Sequence, residues 1–199
     1  MARAGDQYRL FDTGISLPNG FVYRPEFLTI REEERLLAAI KQLPLVNAPY
    51  GEYTARRRVM NFGMGFEFDM DKPTQGPPLP PFLTPLQRKV AKWIDVPAAR
   101  VVEALVTEYR PGTPIGWHRD REMFESVVGV SLSGWCDLKL RPIGSKGLKD
   151  IATLPLEPRS AYLLQEDSRW KWQHSIPPTK TLRYSITFRT LPKSLPTPR

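Results

Sequence analysis

The spacing of apolar residues changes period along this chain, and each change marks an element. After Thr29, the apolar residues Leu36, Leu37, Ile40 and Leu43 recur at helical spacing. Thr29 and Glu32 have the spacing at which a hydroxyl and a carboxylate cap one helix start reciprocally. The pattern predicts a helix that begins after Thr29 and is stopped by Pro44. A second helix is predicted from Thr84, with Pro85 at the first helical position and Gln87 completing another capping box. Its apolar members are Leu86, Val90, Trp93 and Ile94, and Pro97 closes it. Between the helices the period drops to two. Met60, Phe62, Met64, Phe66 and Phe68 alternate with Asn61, Gly63, Gly65, Glu67 and Asp69, which reads as a strand or hairpin arm with one apolar face. The proline-dense stretch 73–85 reads as a rigid surface connection rather than a polyproline ligand.

From residue 101 onward the pattern is of short strands: 101–109, 126–133, 135–141, 160–164 and 181–191. Short strands joined by Pro and Gly turns predict a sandwich or jelly-roll barrel, so the class is α+β with a mainly β core. The length of 199 residues suits one domain, with the tail 192–199 read as disordered. The 21 prolines argue against a helix bundle. Cys136 is the only cysteine, which excludes an intrachain disulfide and fits a reducing compartment. The first residues carry no apolar run resembling a signal peptide, and no stretch of about 18 apolar residues occurs, so a cytoplasmic protein without a membrane span is expected. The formal charge of +8 favours a polyanionic partner, either nucleic acid or an anionic membrane surface.

The chain has two histidines, His118 and His174. His118 belongs to an H-x-D arrangement with Asp120. On extended backbone, residues two apart project to one face about 6.6 Å apart, so an imidazole and a carboxylate can converge on an ion. His174 would complete two histidines and a carboxylate, a facial set that leaves open positions on non-haem iron. The competing reading is a His118–Asp120 hydrogen bond at a turn, with His174 as a packing residue. The last strand separates Tyr184, Ile186 and Phe188 on one face from Arg183, Ser185, Thr187 and Arg189 on the other. That polar face either meets solvent at a sheet edge or lines a barrel, where guanidinium groups bind a dicarboxylate through paired, charge-assisted hydrogen bonds.

Taken together, His118-x-Asp120, His174 and Arg183-x5-Arg189 resemble the signature of the AlkB family of iron(II)- and 2-oxoglutarate-dependent dioxygenases. The flanking segments Tyr109-Arg110-Pro111-Gly112 and Trp172-Gln173-His174-Ser175-Ile176-Pro177 agree, and the match spans 101–191. The resemblance implies a double-stranded β-helix core at 101–191, with residues 1–100 forming an extension that carries the helices and a substrate lid. It implies Fe(II), 2-oxoglutarate and O2, with the metal on His118, Asp120 and His174. Arg183 and Tyr109 would hold the distal carboxylate, and Arg189 would stand near the keto-acid end. Thr107 and Ser185 occupy co-substrate positions where the family often carries asparagine; hydroxyls replace some amide hydrogen bonds with shorter reach.

The activity implied is oxidative demethylation of alkylated bases in DNA or RNA, releasing formaldehyde, succinate and carbon dioxide. Such chemistry requires a flipped or single-stranded base, aromatic walls and a basic rim. Arg56, Arg57 and Arg58 are candidate rim residues, Tyr50 and Tyr53 candidate stacking residues. Glu122 could accept from an exocyclic amine, and Trp117 could line the pocket. Two other readings use the same residues: a dioxygenase acting on a protein or small molecule, and a non-catalytic basic domain that binds nucleic acid. A zinc hydrolase would leave Arg183 and Arg189 without a role.

Overall fold

Apolar and turn residues order the described part of the chain into twelve strands and three α-helices. The computed structural model describes residues 17–50, 53–67 and 72–192; the side chains of 49, 50, 53, 54, 66, 67, 72 and 73 lie outside the description. In chain order the elements are β1 (Phe21–Arg24), α1 (Ile30–Ile40), β2 (Val46–Tyr50), β3 (Tyr53–Glu67), β4 (Lys72–Gln75), α2 (Thr84–Trp93), β5 (Val101–Tyr109) and β6 (Ile115–His118). There follow β7 (Val127–Leu132), β8 (Cys136–Pro142), β9 (Ala152–Leu156), β10 (Ala161–Leu164), α3 (Glu166–Trp170), β11 (Trp172–Ile176) and β12 (Arg183–Thr190).

The larger sheet has the order β1-β10-β7-β12-β5-β3-β2, with β4 pairing β3, and the smaller has the order β6-β11-β8-β9. Every strand pair is antiparallel. This is the jelly-roll architecture of a double-stranded β-helix. Two cores follow from the pleat. On the outer face of the larger sheet, Phe62, Ala104, Val106, Val128, Val130, Tyr184, Ile186 and Phe188 pack with Leu36 and Ile40 of α1 and Leu86 and Val90 of α2. Between the sheets, Phe21, Val127, Tyr162 and Leu164 meet Leu138, Leu140, Leu154 and Ile176 of the smaller sheet.

The helix starts separate one expectation that holds from one that does not. Thr29 and Glu32 form the reciprocal capping box, and the helix ends at Ile40, one turn before Pro44. At α2, by contrast, the N-cap is Leu83 and no side chain caps it. A turn closed by the Leu83 N–H on the Pro80 carbonyl already carries the chain into helical backbone, so Thr84 lies inside the helix. Gln87 is spent elsewhere, donating to the carbonyls of Ala98 and Val101.

The proline-dense stretch also departs from expectation. Its first residues, with Lys72, form β4 against β3, and the connection proper begins after Gln75. The period-two pattern in β3 puts Met60 and Phe62 on the helix-side core. At Gly63 the backbone takes φ +78°, and a Cβ there would lie 2.2 Å from the Val102 carbonyl oxygen. At this point β3 leaves β5 and begins to pair with β4. The tail from residue 193 and Phe68 lie outside the described residues.

The inner face of β12 carries Arg183, Ser185 and Arg189, directly opposite Tyr109, Thr107 and Glu103 of β5. β12 lies between β5 and β7, so both its edges are paired, and the smaller sheet packs over the inner side of the larger one, enclosing the face that alternation alone leaves free for solvent. That enclosure positions the site.

Candidate active site

The register of β6 against β11 sets His118 directly opposite His174. Directly opposed residues share a face, and the imidazole centroids are 4.2 Å apart. Asp120 follows just past the end of β6 and turns its carboxylate to the same point. One ligand atom from each residue lies within 4.8 Å of the others. The His118 Nδ1–H donates to the Gly116 carbonyl at 2.9 Å, which leaves Nε2 with its lone pair free to coordinate.

Asp120 is divided between two tasks. Oδ1 accepts from Arg189 Nε at 2.7 Å, whereas buried Oδ2 has no hydrogen-bond partner among the described residues and stands 3.4 Å from His174 Nε2. Burial alone would raise its pKa, but Arg189, then His174 and His118, hold the carboxyl well below the usual range. Burial, reinforced by His118, pushes His174 down to about 3, so its imidazole is neutral at pH 7. The set therefore presents the Asp120 anion and the neutral His174 imidazole beside His118. Such donors suit a divalent transition metal, and the orphaned Oδ2 faces the point where one would sit.

Arg189 donates its remaining edge to Glu103 Oε2 at 2.7 Å. Burial opposes its charge, yet Glu103 and Asp120 keep it firmly protonated. At the other end of β12, about 20 Å away along the backbone, Arg183 is fully buried with no carboxylate partner among the described residues. Its guanidinium carbon stands 4.9 Å from the Tyr109 ring centroid, Nε donates to Ser131 Oγ at 3.2 Å, and Nη1 has no hydrogen-bond partner among the described residues. Ser185 Oγ bonds the Tyr109 hydroxyl at 3.4 Å, and Thr107 is buried directly across from Ser185. A buried, uncompensated guanidinium beside these hydroxyls fits an anionic ligand such as a carboxylate.

The structure brings His118, Asp120, His174, Tyr109, Thr107, Arg183, Ser185 and Arg189 together. Glu103 and Ser131 join them without having been singled out by motif. Glu103 shares the parity of Thr107 and Tyr109 on β5, which is the signal that could have found it. Two arginines clasp the ligand segments. Arg169 of α3 donates Nη2 to the carbonyls of Arg121 and Phe124, while Arg119 donates to the Trp170 carbonyl at 3.0 Å.

The substrate-side expectations fare differently. Arg58 faces the helix layer rather than the site: it donates to the Leu45 carbonyl and Glu108, which also accepts from Tyr184. The pleat dictates this, because Arg58 pairs with Glu108 while the site face carries Thr107 and Tyr109. Trp117 also points away from the metal ligands. Its neighbour His118 takes the inner face, so Trp117 lies on the outer one, with the Arg141 guanidinium carbon 4.1 Å from its ring centroid. Arg56 is exposed and Arg57, of the inner parity, is partly exposed. Glu122 is exposed and ion-paired with Arg119. The side chains of Tyr50 and Tyr53 lie outside the description, although their backbones pair across β2 and β3.

Comparison with known proteins agrees with this geometry. The model of the 2OG-Fe(II) oxygenase superfamily matches residues 20–189. An uncharacterized protein of Acanthamoeba polyphaga mimivirus, L905, is 25% identical over 196 residues, covering 88% of this chain and 86% of its own length. The Alkylated DNA repair protein ALKBH8 homolog of Arabidopsis thaliana is 28% identical over 191 residues, covering 84% of this chain and 53% of its own. The tRNA (carboxymethyluridine(34)-5-O)-methyltransferase ALKBH8 of Mus musculus is 27% identical over 183 residues, and the chain spans 27% of its length. The solved structure of OsALKBH1 superposes with a TM-score of 0.66 at 16% identity, covering 88% of this chain and all of that one, a likeness of fold.

Proposed function

This chain belongs to the 2OG-Fe(II) oxygenase superfamily, and from that premise we propose that it oxidatively demethylates alkylated bases in DNA or RNA, in the manner of AlkB proteins. It is a dioxygenase using Fe(II), 2-oxoglutarate and O2. When bound, the metal and co-substrate supply the oxidising power that inserts oxygen into a C–H bond, with 2-oxoglutarate converted to succinate and carbon dioxide.

The side chains divide the remaining work. His118, His174 and the free oxygen of Asp120 hold the metal. Arg189 fixes the other oxygen of Asp120, and Arg183 with Tyr109 anchors the far carboxylate. Enclosure between the sheets excludes water and aims the reacting group. No side chain is needed as a nucleophile. A base hydroxylated on an N-methyl carbon becomes a hemiaminal, which releases formaldehyde and restores the base.

The observation that carries the oxygenase chemistry is that Asp120 Oδ2, facing His174 of the smaller sheet, and Arg183 Nη1, on the inner face of the larger sheet, are both buried and without hydrogen-bond partners among the described residues. The choice of nucleic acid is supported by the charge of +8 and by relatives named for DNA repair and for tRNA modification. No helix among the described residues is long and apolar enough to cross a membrane.

The test is a panel of methylated DNA, RNA and tRNA oligonucleotides, incubated with Fe(II), ascorbate and 2-oxoglutarate and followed by mass spectrometry. Loss of a methyl group with matching formaldehyde and succinate is expected. Succinate formation without change in any oligonucleotide would move the substrate to a protein or a small molecule. Phosphate contact further requires binding that weakens steeply with salt.

A further inference from the structure

The register lays out the inner face of the larger sheet in rows. One row, at the metal end, is Leu164–Val127–Arg189–Glu103. Another, Ser131–Ser185–Thr107, stands beside Arg183 and Tyr109. The row between them is Tyr162–Gly129–Thr187–Leu105. It crosses the middle of any diacid reaching from the metal ligands to Arg183.

Gly129 is the gap in that row, and Tyr162 fills it. A Cβ at Gly129 would stand 2.3 Å from Tyr162 Cε1, 2.4 Å from Cζ and 2.6 Å from the hydroxyl oxygen. The far end of the ring therefore occupies the volume of the missing side chain, having reached from β10 across β7 toward β12. Phe21 stacks on the ring, with centroids 6.3 Å apart and planes at 11°. Held between Phe21 and the Gly129 backbone, the phenol cannot swing aside without disrupting the core. Burial pushes its pKa up, Asp120 and Tyr109 add to this, and Arg183 opposes it, so the hydroxyl keeps its proton among those three groups.

We propose that Tyr162 is a further co-substrate-binding residue, its O–H donating a hydrogen bond to a carboxylate oxygen of bound 2-oxoglutarate while its ring forms one wall of the chamber. The inference rests on the dioxygenase reading of this site. It adds a long-reaching hydroxyl to a chamber where Thr107 and Ser185 offer short reach, and it gives Gly129 a reason to lack a side chain.

The test measures 2-oxoglutarate binding by calorimetry on the Mn(II)-loaded chain, where affinity is read without turnover. The proteins are wild type, Tyr162→Phe, Tyr162→Val and Arg183→Ala. Tyr162→Phe keeps the ring and its stacking, so its affinity decides even where the valine variant folds poorly. About tenfold weaker binding is expected from loss of one hydrogen bond to a charged group. Tyr162→Phe binding within twofold of wild type, with Arg183→Ala clearly weakened, would overturn the role of Tyr162 and leave the site reading intact. If Arg183→Ala also binds normally, the co-substrate reading itself falls, and this inference with it.

Discussion

Arg189 Nε donates to Asp120 Oδ1 at 2.7 Å and so turns the other carboxylate oxygen, which has no hydrogen-bond partner, toward His174. The arginine is in turn held by Glu103 at 2.7 Å. One carboxylate thus serves the protein through one oxygen and is left open through the other, and its open oxygen stays aimed only while Arg189 stays in place.

Arg189→Ala should therefore loosen the metal site without removing a ligand. Partners that orient metal ligands typically contribute about 10–100-fold in affinity. The same range is expected here, read by competing Co(II) between the protein and a chelating dye. Glu103→Gln should give a smaller loss in the same direction, because the amide still accepts one hydrogen bond from Arg189. Unchanged Co(II) affinity in Arg189→Ala would show that Asp120 holds its orientation unaided.

On the proposed function, Arg183 serves a ligand and not the fold. A buried guanidinium without a carboxylate costs desolvation free energy that nothing among the described residues offsets in full. Arg183→Met should leave the unfolding midpoint of the metal-free protein equal or higher, while the apparent requirement for 2-oxoglutarate rises by about 100-fold or more, the loss of a paired charge-assisted contact. A large drop in stability with an unchanged requirement would make Arg183 a structural residue.

Those opposite signs bear on how much the sequence discloses. Local rules sufficed where the determinants are local. The Thr29–Glu32 box, the span of β5 and the apolar face of β12 all emerged as read. His118-x-Asp120 and Arg183-x5-Arg189 are local spacings that a sequence displays, whereas His174, far along the chain, comes beside His118 only through the pairing of β6 with β11. What was not legible depends on which strand lies beside which. The burial of the polar face of β12 follows from the smaller sheet packed against the inner face of the larger one. Trp117 was assigned to the site by nearness to the ligands and Arg58 as part of a basic run where the family carries its substrate lid, and the pleat sends each to the opposite face. β9 and β11 were missed because they are short and sit among Pro, Lys and Gln, so their strand character comes from pairing with β8.

Glu33 is a purely structural counterpart to the site acids. Buried on α1, it accepts from the Ser133 backbone N–H at 2.7 Å and from Arg159 at 3.3 Å, tying the first helix to the turn after β7. Glu33→Ala should cost about 2–4 kcal/mol in denaturant unfolding, because it strands a backbone donor and an arginine together. Activity at a temperature where the variant remains folded should be unchanged. A loss of turnover in the folded variant would place α1 in communication with the site.

Metal binding should be visible in stability as well as in turnover, because His118, Asp120 and His174 lie on segments that an ion would tie together. Asp120 is ionised and His174 neutral in the folded protein, so neither needs to change protonation to bind at pH 7. A ligand at a hundred times its dissociation constant stabilises the folded state by about 2.7 kcal/mol when the unfolded chain does not bind it. For a chain of this size, each kcal/mol moves the unfolding midpoint by about 2–4 °C. Mn(II) at that excess should raise the midpoint by about 5–10 °C, and a chelator should reverse the rise. The shift should vanish in Asp120→Ala and His174→Ala; the metal-free midpoint should fall in Asp120→Ala, which leaves buried Arg189 with only Glu103, and stay closer to wild type in His174→Ala. A full Mn(II) shift in either variant would mean that the ion binds elsewhere, and the assignment of these three residues as its ligands would fail.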